Sequence, residues 1–167
     1  MTPTKEIIKK VVDEIDADEL ISLTAELFKI NSLWDPVAGT SEQAVAEKVA
    51  EWSQSQGFEV QIDQVAPNRP NIIISGPAGS QNRVLMFEGH TDVVTPGDVA
   101  AWQYDPFDAT IVGHRMYGRG TNDTKGNLAA MLVAMKALKT AAIKLSGSVI
   151  GGVLGDEEEQ KLGVREV

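Results

Sequence analysis

Three short runs constrain this chain most: "NIIISG" (71–76), "RVLMFEG" (83–89) and "GSVIGGVLG" (147–155). Each is largely apolar without strict alternation, and each ends at a glycine. Strands of that kind are buried on both faces, as in a sheet covered by helices. The segments around them supply the helices. In "DELISLTAELFKI" (18–30), Leu20, Ile21, Leu23, Leu27 and Ile30 fall at mostly helical spacing. "TSEQAVAEKVAEWSQSQG" (40–57) reads as a second helix, with Thr40 and Gln43 as a capping box and Gly57 as its stop. "DTKGNLAAMLVAMKALKT" (123–140) is the clearest helix, with one stripe of Leu128, Met131, Leu132, Met135 and Leu138. "FEVQIDQV" (58–65) alternates like a half-buried strand, and "DATIVGHRMYGRG" (108–120) reads as a hairpin turning at Gly113–His114. Helices alternating with buried strands predict an α/β layer fold with a mostly parallel sheet. No Pro-rich linker divides the 167 residues, which are enough for one domain with a real core.

Charge narrows the partners. Lys and Arg number 15 against 24 Asp and Glu, a formal net charge of −9. That balance argues against nucleic acid and anionic membrane, which need a basic face, and is compatible with binding cations. The absence of cysteine removes disulfides, thiolate metal sites and a cysteine nucleophile. The opening "MTPTKEIIKKVVDEID" is charged and amphipathic and lacks the apolar core of a signal peptide. No stretch approaches the ~20 apolar residues of a membrane span. A cytoplasmic setting is expected.

Four stretches carry chemistry, each at or beside a strand end, where open α/β sheets bind ligands. In "GHTDVVTPG" (89–97), His90 and Asp92 point the same way if strand geometry persists. They are either a metal ligand with the carboxylate that orients it or a plain polar pair. "GRGTNDTKG" (118–126) can be a phosphate loop, a glycine turn into a helix, or the approach to a metal-binding Asp123. The phosphate reading suffers because Asp123 would repel a pyrophosphate. The run Asp156–Glu159 is either a solvated acidic face or a loop aiming two carboxylates into one site. Trp102 and Pro106–Phe107 are either a rim beside that site or surface packing. His114 is read as a turn residue, and no G-x-S-x-G supports a serine nucleophile.

Taken in order, "GHTDVVTPG", Trp102, "PF", "YGRGTNDTKG" and "DEE" resemble the metallopeptidase family M20, which includes acetylornithine deacetylase, succinyl-diaminopimelate desuccinylase and carboxypeptidase G2. The resemblance is close over residues 87–158. It implies a three-layer catalytic domain, a mostly parallel mixed sheet flanked by helices. It makes His90, Asp123 and Glu158 metal ligands, with Asp123 bridging two Zn2+ ions (Co2+ or Mn2+ being alternatives). By the same resemblance Asp92 orients His90 and Glu157 is the general base. A frame shifted by one residue would instead make Glu158 the base and Glu159 the ligand. A cis peptide is implied before the bridging aspartate, at Asn122–Asp123. The implied reaction is hydrolysis of the amide of an N-acyl amino acid or short peptide, in a protein that forms homodimers.

The family's site uses two further ligands, a downstream carboxylate and a histidine. Here nine residues follow Glu158, and no histidine lies beyond His114. Residues 1–167 are therefore expected to be the N-terminal part of one catalytic domain, without the lid and dimerisation domain. Weak metal binding and little hydrolysis are expected of this chain alone. The rivals are a non-catalytic interaction domain that keeps the fold, and a nucleotide-binding module built on "GRGTND".

Overall fold

A computed structural model describes residues 4–167. The elements run α1 (Lys5–Val12), α2 (Ala17–Lys29), α3 (Gln43–Ser55), β1 (Glu59–Ala66), β2 (Arg69–Ser75), β3 (Val84–His90), a 3-10 turn (Val99–Ala101), β4 (Thr110–Val112), β5 (Arg115–Tyr117), α4 (Lys125–Thr140), β6 (Ser148–Leu154) and α5 (Leu162–Arg165). The first three residues of the amphipathic opening segment lie outside the described residues.

Local chemistry accounts for most boundaries. Asp16 caps α2 by accepting from the backbone N–H of Asp18 and Glu19 at 2.9 and 3.1 Å. Gly57, with φ of 72°, ends α3 in the left-handed region, as its place in the sequence predicted. The capping box expected from Thr40 and Gln43 does not form. Helix α3 starts from Glu42 without a side-chain cap, and the Gln43 amide donates to Glu47 instead. The Glu42 carboxylate is drawn away, across the fold, to Arg69. The hairpin β4–β5 turns at Gly113–His114 as predicted, with Gly113 at φ of 59°.

Four strands form one mixed sheet in the order β1-β2-β6-β3. Its balance differs from expectation: β1/β2 and β2/β6 are antiparallel and β3/β6 alone is parallel. The reason lies in the β1–β2 link. Pro67 and Asn68 alone connect the two strands, with Asn68 at φ of 61°, and so short a link permits only a hairpin.

Helices α2, α3 and α4 pack against one face of the sheet. Leu23 and Leu27, Val45 and Val49, and Leu128 and Leu132 meet Ile72, Ile74, Val149 and Val153 in one buried cluster. Leu128, Leu132 and Met135 of the predicted α4 stripe are all buried. The approach is close: a Cβ at Gly89 would stand 2.8 Å from Leu128 Cδ2. Strand β3 departs from its reading as buried on both faces. Val84, Leu85 and Phe87 are 61%, 56% and 45% exposed, because β3 is an outer strand of the sheet among the described residues. None of the described helices is long and apolar enough to cross a membrane.

This topology fixes the position of the site. In the parallel pair, His90 at the end of β3 lies opposite Leu154 at the end of β6. The chain segments leaving both strands therefore emerge side by side, joined by Thr91 N–H to Leu154 O at 2.8 Å.

Candidate metal centre

The two strand ends and the approach to α4 bring three sequence-predicted residues together. One ligand atom each from His90, Asp123 and Glu158 lies within 4.8 Å of the others. His90 is buried, Glu158 is half-buried, and the Asp123 side chain is 66% exposed.

His90 is fixed from both sides. Its Nδ1 stands 3.1 Å from the Asp92 carbonyl oxygen and 3.3 Å from Asp92 Oδ1, and its Nε2 stands 3.0 Å from Asp123 Oδ1. Both nitrogens face oxygen acceptors, so without a cation the ring carries two N–H groups and a positive charge. Burial opposes that charge, but the hydrogen bonds to Asp92 and Asp123 outweigh it and raise the pKa to about 9. Asp92 is itself buried. Burial raises its pKa, yet His90 and the backbone N–H groups of Glu158 and Glu157 lower it further. Asp92 Oδ2 accepts from Glu158 N–H at 2.8 Å, so one carboxylate ties the β3 end to the β6 loop. Burial pushes the Glu158 carboxyl up.

The donor set fits a divalent cation. Zn2+ takes imidazole nitrogen and carboxylate oxygen at about 2.0–2.2 Å, so two atoms on one ion lie at most about 4.4 Å apart. His90 Nε2 and Asp123 Oδ1, 3.0 Å apart, lie within that span, and Glu158 completes a set within 4.8 Å. With Nδ1 donating to Asp92, the ring presents Nε2 to the cation. Carboxylates also outnumber their cationic partners here, which are Arg69, His90 and Lys161. Glu157 pairs with Lys161. The cis peptide bond in this loop lies between Asp123 and Thr124, one residue after the expected position.

Two buried basic side chains went unread in the sequence. Arg69 is 2% exposed; its Nε donates to Glu42 Oε1 at 2.6 Å and its Nη1 lies 2.7 Å from Asp156 Oδ1 and 3.1 Å from Glu159 Oε2. Its guanidinium lies 4.7 Å from the centre of the Trp34 ring. Lys125 is fully buried, and its Nζ donates to the carbonyls of Leu27 and Ile30 at 3.1 and 2.6 Å. The available signal was a charge beside an apolar run: Arg69 before "NIIIS", and Lys125 before the α4 stripe.

Trp102 takes the rim position, lining a cleft of about 400 Å³ with Arg119, Asn122 and Asp123. Its Nε1 donates to Pro96 O at 2.9 Å. Phe107 does not line that cleft. His114 is exposed at its turn and apart from the cluster, as read.

Comparison with known proteins finds relatives in one peptidase family. Residues 86–167 match the sequence model of peptidase family M20/M25/M40. Acetylornithine deacetylase of Vibrio cholerae is 37% identical over 142 residues, covering 85% of this chain and 35% of that protein. Succinyl-diaminopimelate desuccinylase of Pseudoalteromonas atlantica is 39% identical over 140 residues, covering 84% of this chain and 35% of that protein. The chain thus spans about a third of the length of these curated relatives. Among solved structures, the M20 family metallo-carboxypeptidase Sso-CP2 of Sulfolobus solfataricus superposes with a TM-score of 0.72 at 26% identity, covering 84% of this chain and 31% of that one.

Proposed function

This chain belongs to peptidase family M20/M25/M40, and from that premise we propose that it is the N-terminal part of the catalytic domain of a metal-dependent amidohydrolase. Its substrate class is the N-acyl amino acid or short peptide, and its setting is a cytoplasmic homodimer. The observation that carries the reading is the convergence of His90, Asp123 and Glu158 at adjacent ends of β3 and β6.

His90, Asp123 and Glu158 are the ligands in this reading, and Zn2+ is the cation, two per complete site with Asp123 shared. A bound cation supplies polarisation of the scissile carbonyl and a more acidic water. Asp92 holds His90 with Nε2 outward. Glu157 accepts the proton of the attacking water and returns it to the leaving nitrogen. The shifted assignment, with Glu159 as ligand, is disfavoured because the Glu159 carboxylate is engaged by Arg69 at 3.1 Å. With Asp123 shared, this chain supplies two ligands per cation, short of the usual three of a catalytic site.

Zinc retention after equilibrium dialysis tests the reading, with wild type, His90→Ala and Glu158→Gln side by side. Wild type retains Zn2+, weakly, and each variant binds at least about tenfold more weakly. Equal retention by all three overturns the assignment. Assays of N-acetylornithine and N-succinyl-diaminopimelate should show little turnover by these 167 residues, given the two ligands per cation.

A further inference from the structure

A buried arginine at the head of the Ile72–Ile74 strand needs a reason. Strand β2 reads Arg-Pro-Asn-Ile-Ile-Ile-Ser, and Arg69 is 2% exposed at its start. Burying a guanidinium costs several kcal/mol unless carboxylates and hydrogen bonds replace water. Arg69 meets that demand at one place, the loop that carries Glu157 and Glu158. The β2/β6 register pairs Ile72 with Val153 and, continued by three residues, sets Arg69 across from Asp156.

The contacts there interlock around Arg69 Nε and Nη1, while Arg69 Nη2 and Glu42 Oε2 are buried without a hydrogen-bond partner. Asp156, at φ of 60°, folds its loop onto itself: Oδ1 accepts from Gln160 N–H at 3.3 Å and Oδ2 from Leu162 N–H at 3.1 Å. Arg69 Nη1 holds that same carboxylate at 2.7 Å. Glu42 Oε1 takes both the Asp156 N–H at 3.1 Å and Arg69 Nε at 2.6 Å. Arg69 Nη1 also reaches Glu159 at 3.1 Å. The residues on either side of the Glu157–Glu158 pair are therefore both pinned by one guanidinium.

We propose that Arg69 is a positioning residue for the Glu157–Glu158 carboxylates, acting through the Asp156 turn it clamps against Glu42. The proposal rests on the metal-centre reading above. It explains why the residue is arginine. The planar fork sends Nε one way and Nη1 another while its face lies on Trp34, and lysine offers a single point charge that cannot do all three.

A double-mutant cycle on the 167-residue chain tests it, with Co2+ affinity and the visible absorption of bound Co2+ as readouts and circular dichroism as the fold check. Arg69→Lys is expected to weaken Co2+ binding about tenfold or more and to change the absorption band as Glu158 withdraws, without loss of secondary structure. In a Glu158→Gln background the same change should cost nothing further, since both act through one ligand. Should Arg69→Lys not fold, Asp156→Asn replaces it in the same cycle, with the same non-additive result expected. Additive losses overturn the positioning role while leaving the metal centre standing. Wild type that binds no Co2+, or Glu158→Gln that binds it equally well, overturns the metal-centre reading and this proposal with it.

Discussion

At the scale of the residue, His90 sets up a competition between a proton and a cation. Its pKa of about 9 means that the ring is protonated at neutral pH when no cation is bound. A cation needs the neutral ring, so binding must expel that proton. Cation affinity should therefore rise about tenfold per pH unit up to about pH 9, with one proton released per ion. Co2+ titrations at pH 6.5, 7.5 and 8.5 measure this, and a dissociation constant that does not move with pH would refute it. Stability without a cation runs the other way. The folded pKa lies above the ordinary 6.5, so the contribution of His90 is complete below 6.5 and fades as pH climbs through 9. His90, Asp92 and Asp123 were readable because each sits in a short local motif. Arg69 was not, because its partners Glu42, Asp156 and Glu159 lie 27, 87 and 90 residues away in the chain.

At the scale of the element, Lys125 joins two helices end to end. It sits in the first turn of α4 and donates to two carbonyls at the C-terminal end of α2, that of Leu27, which also accepts from Ile30 N–H at 3.4 Å, and that of the C-cap Ile30. Burial drives its pKa down to about 7, and the neutral amine has two N–H groups for the two carbonyls it meets. The unfolded chain binds a proton here up to about pH 10.5, so the contribution of Lys125 to stability should rise with pH between about 7 and 10.5. Lys125→Met removes the donor shared by both carbonyls, leaving Leu27 O only the Ile30 N–H, and should cost about 2 kcal/mol, more at pH 9.5 than at pH 7. Urea unfolding at the two pH values measures this; an identical difference at both would show that Lys125 is charged in the fold. The helices themselves were legible from periodicity, and Leu128, Leu132 and Met135 are buried where the stripe put them. What periodicity could not convey was neighbourhood. The run "RVLMFEG" is as apolar as "NIIISG", yet one forms an outer strand and the other an inner one. The capping box failed because the helix begins two residues after Thr40, at the cap residue Glu42, and the Gln43 side chain turns to Glu47.

At the scale of the whole molecule, two forces oppose each other in solution. Val84, Leu85 and Phe87 expose apolar surface on an outer strand, which favours pairing between copies. A net charge of −9 keeps copies apart. Added salt screens the second and not the first, so self-association should grow between about 50 mM and 500 mM NaCl. Leu85→Lys should suppress it. Sedimentation velocity measures both effects, and a monomer at every salt concentration would contradict the expectation. The strand order has a further consequence, for the path by which the molecule forms. Strand β6 comes last among the described strands and yet sits between β2 and β3. Until residues 148–154 insert, β1–β2 and β3 are separate pieces that share no edge. Insertion must close a long loop before its contacts repay the entropy, so it is the slow step expected in folding. The same insertion carries Asp156, Glu157 and Glu158 to His90. The four described strands, the core and the His90–Asp123–Glu158 cluster therefore come together in a single late event, and a chain still being synthesised would lack that cluster until β6 was in place.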